Sequence, residues 1–160
     1  MKMGLSGGLV LAGLIAGAAS LSAAEPTGTE ALDAAWTKAM KAGDVNAVMA
    51  CYANDAVLWF PGSAEARGEK AIRDEYTGFL GANTVTDITI TNAHHETHQN
   101  LSVGWANFSM TMQPKAGGAP ATMHGRYTEV AKKIDGKWKY VADHASADPA
   151  PAEKPSAAGK

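Results

Sequence analysis

Cysteine is nearly missing: one residue, Cys51, in a chain of 160. A single thiol excludes an internal disulfide and a zinc site built from cysteines. Cys51 sits between Met49 and Tyr52 in a predicted helix, where it reads as a small buried hydrophobe. No helix start or cationic neighbour is in place to activate it. Clusters of Lys and Arg are also missing, and the formal net charge is −2. Nucleic acid is therefore not expected as a partner, because neutralising phosphates needs grouped cations. What is present is an ordinary globular composition, 46% hydrophobic and 19% charged, in a chain long enough for one domain with a core.

Residues 1–24 are expected to be a signal peptide. Lys2 gives a weak positive start, Leu9 to Leu21 is an apolar run of the right length, and Ser22-Ala23-Ala24 offers small residues before a cut at Glu25. The run is too short and too rich in Gly and Ala for a comfortable membrane span. No cysteine follows it, which argues against a lipid anchor; an uncleaved anchor is the alternative. The mature domain, residues 25–148, is then exported to a bacterial periplasm or beyond, with no membrane partner after cleavage. Residues 149–160 are Pro, Ala, Lys and Glu with nothing to bury, and are expected to be a disordered tail.

Within the domain, Thr27 and Glu30 fit a capping box. Leu32, Ala35, Trp36, Ala39 and Met40 then fall on one stripe of a helix that Gly43 ends. Asp44 caps a second, short helix with Val45, Val48, Met49 and Tyr52 inward. Asn54-Asp55 breaks the pattern before a short strand, Ala56 to Phe60, closed by Pro61-Gly62. A loop, Ser63 to Arg67, leads to a third helix opened by Gly68, with Ile72, Tyr76, Phe79 and Leu80 apolar. The period then becomes two. Val85 to Gln99 is a long strand placing Ile88, Ile90, Asn92, His94, Glu96 and His98 on one face. The next strand, Leu101 to Gln113, carries Val103, Trp105, Asn107, Ser109 and Thr111 on one side. Met123 to Ser146 is a hairpin turning at Asp135-Gly136 and forming the middle of the sheet. The order α-α-β-α-β-β-β-β predicts an α+β fold, a cone-shaped curved antiparallel sheet packed on three helices. Apolar residues on both faces of the late strands predict a homodimer or larger assembly on the face away from the helices.

The run Lys41-Ala42-Gly43-Asp44 through Tyr52-Ala53-Asn54-Asp55-Ala56 resembles one shared by ketosteroid isomerases and their relatives. Gly68 with Ala71-Ile72-Arg73 resembles the start of their third helix. Asp135-Gly136-Lys137-Trp138, His144-Ala145-Ser146 and Asn92-Ala93-His94 resemble the association domain of calcium/calmodulin-dependent kinases. The chain, from about Ala31 to Asp148, thus resembles the nuclear-transport-factor-like, or SnoaL-like, superfamily of cystatin-like fold. That resemblance implies a pocket between helices and sheet. It puts Trp36 where the isomerases have a tyrosine, and Phe60 where they have the general base. Neither can take those roles. The pocket arginines of the kinase association domain fall on Ser109, Glu129 and Ala145, so that site is not kept either. The implied hollow is poor in proton-carrying groups for isomerase chemistry.

Three groups of candidates follow. His94, Glu96 and His98 read first as surface residues, with a pocket acid–base role or a metal site as alternatives; alternate strand residues stand roughly 6–7 Å apart, wide for one ion. No metal and no cofactor is expected. His144 closes the last strand as a ligand-bonding or basic group, or simply as a structural hydrogen bonder. Asp143 cannot share its face, because successive strand residues point opposite ways. Glu129 shares a face with Tyr127, turned to the pocket by the kinase-domain resemblance, where burial would disfavour its charge; pairing with Arg126 or a lysine is the plainer alternative. The pocket is expected to be lined by Trp36, Trp59, Tyr76, Trp105, Asn107 and Tyr127. The function expected is binding of a small hydrophobic or amphipathic molecule. The alternatives are a lyase or isomerase using Glu129 or His144, and an assembly module without catalysis.

Overall fold

A computed structural model describes residues 26–149. The expected signal peptide and residues 150–160 of the expected tail lie outside them. Among the described residues no helix is long and apolar enough to cross a membrane.

Helix α1 spans Gly28–Ala42. Leu32, Ala39 and Met40 are buried as the stripe requires, while Ala35 is exposed. The buried face also takes in Thr29 and Asp33, two polar residues at helical spacing with Trp36 and Met40. The capping box does not form. The Thr27 side chain makes no cap bond; its Oγ1 accepts instead from Trp138 Nε1 at 2.9 Å, tying the helix start to the last strand. Gly28 lets the helix start lie against the sheet, because a Cβ there would sit 2.2 Å from Ser102 Oγ. In its place Thr29 N donates to Ser102 Oγ at 3.0 Å. Gly43 in the left-handed conformation closes α1, and Asp44 caps α2, Val45–Met49, by accepting from Ala47 N.

Strand β1 runs Tyr52–Trp59, straight through Asn54-Asp55 rather than starting after it. The Ser63–Arg67 loop contains a two-residue strand, β2, Ala66–Arg67, which pairs with β1. Helix α3, Gly68–Ala82, buries Ile72, Tyr76 and Leu80. Four long strands follow: β3 Asn83–His98, β4 Leu101–Pro114, β5 Ala121–Ile134 and β6 Lys137–Ala147. The sheet order is β2-β1-β6-β5-β4-β3, so the β5–β6 hairpin is central as expected. Its turn residues Asp135 and Gly136 both have positive φ. Every neighbouring pair is antiparallel except β1 and β6, which run parallel. The three helices pack on one face of this sheet, giving the α+β cone.

Bulges decide which residues face the helices. In β3, Val85 pairs with Met112 but Asp87 with Thr111, and Thr91 pairs with Asn107 but His94 with Trp105. Each shift adds one unpaired residue and reverses the alternation beyond it. Asn92, at φ 53°, sits in the second. Ile88 and Ile90 therefore face in, but so does His95, while His94 turns out. In β6, Ala131 pairs with Tyr140 and Val130 with Ala142, leaving Val141 as the extra residue. Tyr140 faces in, and after the bulge Asp143 and Ala145 do, so His144 faces out. The core between sheet and helices centres on Met40, Val48, Leu58, Ile72, Tyr76 and Tyr140, each 2% exposed or less. Each such side chain contributes about 1.5–3 kcal/mol by leaving water.

Candidate functional site

A cavity of about 50 Å³ lies between α1, α3 and the concave face of the sheet. Leu58, Ile88, Ile90, Phe108 and Met110 form its apolar wall. Its polar groups are carboxyls and ring donors: Asp33, Glu129, Asp143, Tyr76, Tyr127, Tyr140 and Trp36. No Lys, Arg or His borders it among the described residues. At Phe60, Pro61 and Met123 it adjoins a wider groove of about 750 Å³ beside α3.

Two hydrogen-bonded groups make up the polar end. In the first, Asp33 accepts from Tyr127 Oη at 2.5 Å on one oxygen and from Tyr140 Oη at 2.8 Å on the other. His95 Nε2 stands 3.8 Å from Asp33 Oδ2, and its Nδ1 lies 3.0 Å from Thr29 Oγ1. In the second, Tyr52 Oη donates to Asp143 Oδ2 at 2.5 Å and lies 2.6 Å from Tyr76 Oη, which also accepts from Trp36 Nε1 at 3.0 Å. Each tyrosine hydroxyl is held above the ordinary phenol range, chiefly by burial and next by a nearby carboxyl group.

Glu129 stands between the two groups. It is 3% exposed, and its Oε1 has no hydrogen-bond partner. Burial, and next the nearby Asp33 and Asp143, push its carboxyl up to about 11. Burial also raises Asp143 to about 6, against the pull of the Tyr52 hydrogen bond. Cys51 is buried and raised to about 11, chiefly by burial, which fits an inert thiol.

Of the residues expected to line the pocket, the structure brings together Trp36, Tyr76, Tyr127 and Glu129. It does not bring in Trp59, Trp105, Asn107 or His144. Trp105 and Asn107 are on the outer face of β4, because Phe108 and Met110 take the inner one. His144 meets Trp59 edge-on outside the sheet, with ring centroids 6.0 Å apart, a consequence of the Val141 bulge. His94 is likewise outside, stacked on Trp105 at 5.4 Å. Nor is the hollow poor in proton-carrying groups. Phe60 does line it where the isomerases have their base, but Asp33 and Asp143 supply carboxyls from other elements. For Asp33 a signal was present, a polar residue inside an otherwise apolar helix stripe. Asp143 and His95 gave none, since their direction depends on bulges.

The profile of the SnoaL-like domain matches residues 34–141. The chain belongs to the SnoaL-like domain family. Solved structures agree with that assignment. A candidate calcium/calmodulin-dependent protein kinase II association domain from Xanthomonas campestris is 26% identical, with TM-score 0.62 over 76% of this chain and 86% of that one. A ketosteroid isomerase-like protein from Erwinia carotovora atroseptica is 23% identical, with TM-score 0.66 over 75% and 94%. A candidate dehydratase of the NTF2-like family from Streptomyces avermitilis is 16% identical, with TM-score 0.69 over 76% and 95%. The last two speak for the fold alone. Comparison with curated proteins gave no match. In this SnoaL-like chain the fold is compatible with ligand binding or with isomerase or dehydratase chemistry.

Proposed function

We propose that this SnoaL-like protein is exported and binds a small amphipathic molecule that carries no anionic group. The observation that carries this reading is the cavity's lining: an apolar wall ending in carboxyls and phenols, with no cationic side chain among the described residues to meet a ligand carboxylate or phosphate. Pockets of this make-up, mostly apolar with a few convergent polar groups, are the usual small-molecule sites. The narrow cavity has room for a few water molecules or the polar head of a ligand. The apolar body then lies past Phe60, Pro61 and Met123 in the wider groove.

The test is thermal unfolding of the purified protein against matched alcohols, ketones, amines and carboxylates of one carbon skeleton. Stabilisation by neutral or cationic members and not by the carboxylate is expected. Stabilisation by the carboxylate alone, or by none of them, removes the proposal.

A second reading, a lyase or isomerase, is favoured by one observation. Asp143, rather than His144, stands on the cavity wall with its carboxyl held by Tyr52, and one structural neighbour is described as a candidate dehydratase. Homodimerisation is proposed on the outer face of the sheet, where Trp59, Leu101, Trp105 and Ile134 are the exposed large apolar residues.

A further inference from the structure

We propose that Asp33, His95 and Glu129 form a binding site for a divalent transition-metal ion, with one coordination position open to the cavity. A carboxylate oxygen from Asp33, one from Glu129 and a ring nitrogen of His95 lie within 4.8 Å of one another. A tetrahedral ion with bonds of about 2.0–2.1 Å has ligand atoms about 3.3 Å apart. Asp33 Oδ2 and His95 Nε2, at 3.8 Å, are already close to that spacing. The three ligands come from three elements, α1, β3 and β5, which the fold fixes relative to one another.

Four features show a built site rather than a chance group of acids. First, Glu129 is 3% exposed and its Oε1 is unpartnered, a buried acceptor that destabilises the fold unless something meets it. Second, Gly104 makes the room. A Cβ there would lie 2.7 Å from Glu129 Oε1 and 2.9 Å from Thr29 Oγ1. Third, each other ligand has an orienting partner. Tyr127 and Tyr140 hold Asp33. Thr29 Oγ1 meets His95 Nδ1, so a proton on Nδ1 leaves the Nε2 lone pair facing Asp33. Hydrogen-bonded ligands of this kind are what metal sites use to fix tautomer and direction. Fourth, the Asn92 bulge turns His95 inward, while His94, Glu96 and His98 stay outside.

One imidazole nitrogen with two carboxylate oxygens suits first-row ions such as Zn²⁺ or Mn²⁺, whereas Mg²⁺ and Ca²⁺ prefer oxygen ligands alone. Asp33 and Glu129 border the cavity and His95 does not, so the free side of the ion faces the cavity. There water or a neutral polar end of a bound molecule completes the coordination, since the two carboxylates already balance the charge of a divalent ion. That last point rests on the cavity being a ligand site; uptake of the ion does not.

The experiment uses the untagged full chain, stripped with a chelator and titrated with Zn²⁺, Mn²⁺ and Mg²⁺ by calorimetry, with electron paramagnetic resonance for Mn²⁺. Saturable uptake of one transition ion per chain is expected, with Mg²⁺ much weaker. His95→Ala and Glu129→Gln are each expected to weaken uptake by at least about tenfold. His94→Ala and His98→Ala should leave it unchanged. Thr29→Val keeps all three ligands, so weakened uptake there reports the site even if a ligand variant folds poorly, which circular dichroism on metal-free protein will show. The proposal is overturned by absence of saturable uptake at millimolar metal, by Mg²⁺ binding as tightly as Mn²⁺, or by uptake lost with His94 or His98 instead. Failure of ion uptake alongside ligand stabilisation without metal would sink this site and leave the proposed function standing.

Discussion

On the inner face of the sheet, Glu129 and Asp143 stand with Asp33 among four tyrosine hydroxyls, with Glu129 and Asp33 buried and Asp143 half-buried. On the outer face, His94 stacks on Trp105 and His144 meets Trp59, with the two tryptophans 39% and 38% exposed. Both faces carry aromatic and titratable residues, and the sequence pattern treats them alike. Burial separates them. An inner carboxyl without a hydrogen bond or a cation is costly and shifts its protonation, whereas an outer histidine is solvated and cheap to replace. Chemistry is thus expected from the inner face, and the outer face is where assembly is proposed.

The largest expected effect comes from Asp33→Ala. It leaves the Tyr127 and Tyr140 hydroxyls without the acceptor they share. Hydrogen bonds to a charged group contribute about 1.5–3 kcal/mol each. A loss of roughly 3–5 kcal/mol in urea unfolding is expected, and a loss under about 1 kcal/mol would show that the phenols find water and that the inner face is wetter than described.

Next is the pH dependence of the metal-free protein, measured with chelator present. Glu129 is raised from 4.5 to about 11 and Asp143 from 3.8 to about 6. The folded chain therefore holds protons that the unfolded chain releases. Their stabilisation is complete below about pH 4, and falls as pH rises, through about 6 for Asp143 and on toward 11 for Glu129. The steepest slope one group can give is about 1.4 kcal/mol per pH unit. Melting temperature is expected to decline between pH 5 and pH 9, and Glu129→Gln, which cannot ionise, should flatten most of that decline. An unchanged slope in the variant would mean that Glu129 is not the proton holder.

The contrast between faces also explains what was legible before the structure. Helix stripes such as Leu32, Ala39 and Met40 repeat with a regular period, so the two long helices and most of their buried faces followed, whereas Cys51 and Tyr52, read as part of the second helix, lie past its end at Met49, with Tyr52 opening β1. The turn at Asp135-Gly136 was equally plain, and the family resemblance followed from short motifs in these regular parts. Strand faces were less secure, because a period of two carries no memory across a bulge. Ile88 and Ile90 were rightly placed with each other but wrongly with His94, since Asn92 adds a residue between them. Val141 does the same in β6. Trp105 and Asn107 were misplaced for a different reason: their strand alternates cleanly there, but with apolar residues on both faces the pattern cannot say which one meets the helices.

The smallest expected effect, and the sharpest test of that difference, is the pair Asp143→Asn and His144→Ala. The two residues are adjacent, yet one borders the cavity and accepts from Tyr52, while the other lies outside against Trp59. His144→Ala should change unfolding free energy by no more than about 0.5 kcal/mol, the usual range for a surface site, and should leave ligand stabilisation intact. Asp143→Asn keeps an acceptor for Tyr52 but removes the charge at the cavity wall, so preference between amine and alcohol ligands should fall while the fold persists. If instead His144→Ala abolishes ligand stabilisation and Asp143→Asn does nothing, then the register beyond Val141 is one residue out, and the two faces of the last strand exchange roles.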